Sequence, residues 1–129
     1  MKGRIEKEEV LEAFYEKLVA ESSEEGEEAW LWCLGSAEDV FFHQFRSELL
    51  VGSIAEVMWE KLKIPTSFSV YPVYQDGEMY AGSILYTIEK PRILLLHYDL
   101  EDHHFYTQED VEKVIEQMCK EVNENLKAI

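Results

Sequence analysis

Along the chain the spacing of apolar positions changes at Pro65 from a helical period to a strand period, and returns to the helical one at Thr107. Between Glu6 and Ser22, the residues Val10, Leu11, Phe14, Tyr15, Leu18 and Val19 recur at helical intervals. Glu8, Glu9, Glu12 and Glu16 fill much of the remainder, which predicts an amphipathic helix with an acidic outer face. Ser22-Ser23-Glu24-Glu25 offers a cap for a second short helix, with Ala29, Trp30, Cys33 and Leu34 inward and Gly35 as its stop. A strand over 29–34 fits the same residues. Ser36-Ala37-Glu38-Asp39 reads as a capping box ahead of Val40, Phe41 and Phe45, and Leu50, Ile54, Val57, Met58 and Leu62 carry the helical period towards Pro65. Gly52 is a point where this stretch can divide into two helices.

After Pro65 the alternation predicts three strands, over Phe68 to Tyr74, Met79 to Glu89 and Arg92 to Leu100. Asp76-Gly77 supplies the left-handed conformations of a tight hairpin turn, and Lys90-Pro91 parts the second strand from the third. Pro72 cannot donate to a ladder, so the first strand is expected at an edge or bulged there. Ile93-Leu94-Leu95-Leu96 is apolar on both faces, so the third strand is expected to be covered on both sides or paired again, with 29–34 or with a second copy of the chain. Thr107-Gln108-Glu109-Asp110 caps a last helix whose stripe is Val111, Val114, Ile115, Met118, Val122, Leu126 and Ile129.

The fold class these elements predict is α+β in a single domain over residues 1–129. It comprises N-terminal helices, a three-stranded antiparallel meander with a fourth strand left open near 29–34, and a C-terminal amphipathic helix. Tyr80, Ile84, Tyr86 and Ile88 share one parity of the second strand, and Met79, Ala81, Ser83, Leu85 and Thr87 the other. The tyrosine side is expected to be core if helices cover it, the favoured reading, and a protein or ligand platform if it is open.

Charge changes the picture more than composition does. The chain holds 27 acidic against 12 basic residues, a net −15, over a composition that is 47% hydrophobic. It therefore has the means to bury a core, and the carboxylates belong to its surface. Residues 1–29 hold ten acidic and four basic side chains and residues 97–129 hold nine and three, while residues 65–96 are nearly neutral with three and two. If the terminal helices pack side by side, their fields add within a Debye length of about 8 Å. Such a surface repels nucleic acid and anionic membranes and attracts a basic protein partner, by the logic of small acidic inhibitors, immunity proteins, anti-defence proteins and adaptors. Glu101, Asp102, Glu109, Glu112 and Glu116 are the expected partner-binding residues; solubility alone is the plainer reading of the same charge.

The opening residues turn acidic at Glu6 without an apolar signal segment, and the longest apolar run, Ala29 to Leu34, is too short for a membrane span. Cytoplasm is the expected location, and Cys33 and Cys119 read there as buried thiols rather than a disulfide. One cluster has chemical potential: His97-Tyr98-Asp99-Leu100-Glu101-Asp102-His103-His104. His97, Asp99 and Glu101 alternate onto one face, and a turn that returns His103 or His104 would complete a nitrogen and oxygen site for zinc or another transition metal. His97, Asp99 and His103 are the candidate ligands of an alternative metal or small-ligand function, hydrolytic if catalytic at all. A solvated loop leading into a helix cap accounts for the same residues.

Catalytic residues are otherwise not expected. Ser53 and Ser83 lack a Gly-x-Ser-x-Gly elbow, and the apolar surroundings of Cys33 disfavour a thiolate. There is also no glycine-rich phosphate loop and no His-Glu-x-x-His. An enzyme is the less favoured class, and a homodimer through the third strand is a further expectation.

Overall fold

A computed structural model describes residues 3–34, 40–99 and 107–128, with the backbone alone at 40–43, 75, 78 and 79. The elements run α1 (Lys7–Ser22), α2 (Glu27–Leu34), α3 (Val40–Leu62), β1 (Thr66–Gln75), β2 (Glu78–Thr87), β3 (Leu94–Asp99) and α4 (Gln108–Leu126). The strands form one antiparallel sheet in the order β1-β2-β3, an α+β arrangement.

α1 and α4 start at polar side chains that hold their first free N–H groups. Glu6 and Glu9 form a capping box on α1, and Thr107 with Asp110 forms the predicted one on α4. Ser22 and Ser23 do not cap α2 as expected. Ser23 ends α1 in a left-handed conformation, Ser22 Oγ accepts from Glu24 N–H, and the Gly26 carbonyl receives the Trp30 N–H at 3.3 Å. Residues 29–34 are helical, so the fourth strand is not formed. The three-residue spacing of Trp30 and Cys33 lets both join Ala29 in the core, which alternation would have prevented. The cap expected over Ser36 to Asp39 and the stop at Gly35 lie outside the described residues.

Gly52 does not divide α3. The helix runs through it, and a β carbon there would lie 3.6 Å from the ring of Phe68, an ordinary contact, so the approach of β1 does not require a glycine at this position. Leu50, Ile54, Val57, Met58 and Leu62 are buried as the helical period predicts.

In the sheet, Asp76 and Gly77 both take positive φ, 51° and 81°, and close the two-residue β1–β2 hairpin. Pro72 lies on an edge strand, as its missing donor requires. The apolar run of β3 is resolved differently from expectation. Leu85 pairs with Leu96 and Tyr86 with Leu94, so Leu95 is an extra bulged residue, and both Leu95 and Leu96 reach the core while Leu94 stays exposed. No described strand pairs with the outer side of β3. Side chains of α4 serve it instead: Asn125 Nδ2 donates to Leu95 O at 2.8 Å, and His97 N–H donates to Glu121 Oε2 at 2.7 Å.

The core lies between α3 and the inner sheet face and continues under α1, α2 and α4. Trp30 packs near Phe14, ring centroids 5.8 Å apart, and Trp32 meets Phe45 edge to face at 5.4 Å, so both tryptophans pack within the fold. Cys33 and Cys119 are free and buried. Burial and the nearby Glu6, Glu8, Glu9 and Glu116 push the Cys119 thiol from 9.0 up to about 12. An unfolded chain loses that proton near pH 9 while the native chain holds it to about 12, so this group removes stability as pH rises through that window. Urea denaturation at several alkaline pH values is expected to show that decline, and Cys119→Ala to make it shallower.

Candidate functional site

Three surfaces bear on function: the end of β3, the open face of the sheet, and the carboxylates of the helices. At the first, strand alternation places His97 and Asp99 side by side, His97 Nε2 lying 4.0 Å from Asp99 Oδ1. The Tyr71 hydroxyl donates to the same oxygen at 3.4 Å from two strands away. Gly82, the residue paired with both Tyr71 and Asp99, makes this bridge possible, because a β carbon there would fall 2.5 Å from Asp99 Oδ1 and from the Tyr71 ring. Burial first and the Asp99 charge second push the Tyr71 phenol up, holding it in the neutral donating form.

The fold thus brings His97 and Asp99 together and adds Tyr71, which the spacing within the His97–His104 cluster cannot reveal. Glu101, Asp102, His103 and His104 lie outside the described residues, and no three His, Cys, Asp or Glu side chains are grouped for a metal among those described. Gly82→Ala is expected to break the bridge and cost about 1 kcal/mol, similar to Tyr71→Phe, with the double variant little worse than either in chemical denaturation.

The second surface reverses the favoured reading of the tyrosines. Ala81, Ser83, Leu85 and Thr87 are the buried set of β2, and α3 packs on their side. Tyr80, Ile84 and Tyr86 point the other way with Tyr71 and Val73, and all five are only partly buried. A sheet lying close on a helix takes small and aliphatic residues at the contact, leaving the aromatic rings to the outer face. This is the platform alternative.

The third surface is acidic. α1 lies between α3 and α4, and its two flanks differ in charge. Towards α3, Glu9, Glu12 and Glu16 meet Glu56, Glu60 and Lys61 around a cleft of 320 Å³. Two ion pairs cross between these helices, Lys61 to Glu9 at 2.7 Å and Lys17 to Glu56 at 3.5 Å. Glu12, Glu16 and Glu60 are exposed and form no ion pair among the described residues. Towards α4 the lining is mixed, with Glu6, Glu8, Glu116 and Glu124 beside Arg4, Lys7, Lys120 and Lys127.

The terminal helices therefore do pack together, and among the described residues the denser carboxylate surface forms on the other flank of α1. Of the expected partner-binding residues, Glu109 and Glu116 are exposed on α4, Glu112 is half-buried, and Glu109 holds Lys113 at 3.5 Å. The sequence signal for the cleft was the Glu56–Glu60 pair, one turn apart and flanking the buried Val57.

Among the described residues no helix is long and apolar enough to cross a membrane. No family model, curated protein or solved structure matches this chain.

Proposed function

We propose that this chain is a small acidic protein-binding module of the cytoplasm that docks a basic partner, in the manner of an inhibitor, immunity, anti-defence or adaptor protein. The observation that carries the reading is the α1–α3 cleft, where Glu12, Glu16 and Glu60 are exposed and form no ion pair among the described residues, beside two ion-paired carboxylates. Carboxylates that the fold does not pair internally are available to a partner's lysines and arginines, and they sit in the field of a chain with net charge −15. Such a field speeds encounter with a cationic surface and opposes approach to nucleic acid. On α4, exposed Glu109 and Glu116 with half-buried Glu112 extend the same surface chemistry.

The reading is tested by the kinetics of binding to a recovered basic partner. Electrostatic docking predicts an association rate that falls steeply with added salt while dissociation changes little. An association rate indifferent to salt would assign the contact to apolar surface and leave the charge as a solubility device.

A further inference from the structure

The two edges of the sheet are finished differently. On β3, the outward Leu95 carbonyl and His97 N–H are occupied by Asn125 and Glu121 of α4. On β1, Ile88 N–H donates to the Pro65 carbonyl at 3.2 Å, which fixes the alternation of the ladder. Odd-numbered residues of β1 turn their backbone groups to β2, and Thr66, Phe68, Val70 and Tyr74 turn theirs outward. No described residue hydrogen-bonds to those outward groups. Natural edges are usually guarded by charge, bulges or proline, yet no residue from Thr66 to Gln75 is charged. Pro72 is the one guard, and it leaves the stretch before it open.

We infer that this edge pairs with the same edge of a second copy, giving a continuous six-stranded antiparallel sheet. A basic strand would find no carboxylate on β1 to select it, whereas a second copy sets uncharged strand against uncharged strand. The segment is also self-complementary. A two-fold axis at Phe68 places the Phe68 rings of both copies opposite each other and Thr66 opposite Val70, using aromatic and β-branched cross-strand pairs and keeping Pro72 outside the paired stretch. Phe68, 39% exposed at the margin of the inner face, gains cover from its counterpart. An edge contact of this length buries less than the roughly 1,200 Å² of a standard interface, so the dimer is weak and concentration-dependent. Salt strengthens it by screening the repulsion of two acidic chains, opposite to its effect on a basic partner.

Sedimentation equilibrium of the full chain over a range of concentration and salt tests this. The mass is expected to climb from 15.2 kDa towards twice that value, further at high salt. Ser67→Glu with Ser69→Glu sets glutamates opposite one another across the axis and is expected to hold the mass at 15.2 kDa with an unchanged circular dichroism spectrum. Amide exchange of the wild type gives a second reading: protection of Thr66, Phe68 and Val70 rises with concentration. A wild-type chain that stays monomeric throughout, including one whose edge is taken only by an extended segment of another protein, overturns the inference. So does a glutamate variant that dimerises as well as the wild type, or amide protection indifferent to concentration.

Discussion

Replacing Arg46 by alanine is expected to destabilise the fold by about 3 kcal/mol or more, a large share of the roughly 5–15 kcal/mol typical of a domain. The side chain is 1% exposed, lies within α3, and its Nε donates to the Cys33 carbonyl at 2.8 Å. That carbonyl is in the last turn of α2, where helical partners run out, so the guanidinium both caps α2 and fastens it to α3. Its charge also lowers the Cys33 thiol somewhat, against the larger upward push of burial. Arg46→Met keeps most of the volume and loses the donor, so it is expected to cost less than alanine. Urea denaturation of the two variants separates cavity from hydrogen bond, and a loss below about 1 kcal/mol in both would deny the arginine its structural role.

Reversing Glu12, Glu16 and Glu60 to lysine is expected to weaken binding of a basic partner by about 100-fold or more. These three are exposed and engaged in no described ion pair, so the substitution moves the cleft's charge by six units while leaving Lys61–Glu9 and Lys17–Glu56 in place. The helical signal should therefore persist. Reversing Glu109, Glu112 and Glu116 on α4 is expected to act in the same direction by less, because Glu109 is already partnered by Lys113 and the neighbouring flank is mixed in charge. Equal effects from both sets would mean that net charge alone governs binding.

Periodicity made α1, α4 and the hairpin legible, since each of the two helices buries one stripe, and α4 and the hairpin carry readable cap and turn residues. The 29–34 stretch was ambiguous because a short apolar run satisfies either period, and only packing of Trp30 against Phe14 decides it. The leucines of β3 misled for a related reason: alternation assigns neighbours to opposite faces, and a bulge suspends that rule at Leu95. The orientation of the sheet was invisible because both parities of β2 are apolar enough to be core, and the choice lies in how closely α3 approaches. In the site, Glu12 and Glu16 were readable as an outer face, but their convergence with Glu60 is a tertiary fact. The metal candidates His97 and Asp99 do meet on one face, with Tyr71 as a neighbour that no local pattern announces.

The most direct test of the account captures partners from cognate lysate on three immobilised chains: the wild type, the Glu12, Glu16 and Glu60 reversal, and the Glu109, Glu112 and Glu116 reversal. Each is eluted by a salt gradient and read by mass spectrometry. A basic protein that leaves the wild type at moderate salt, and is lost most completely from the cleft reversal, is the predicted result. The same proteins held equally by all three chains, or no specific partner on any, would contradict acidic docking as the function of this surface.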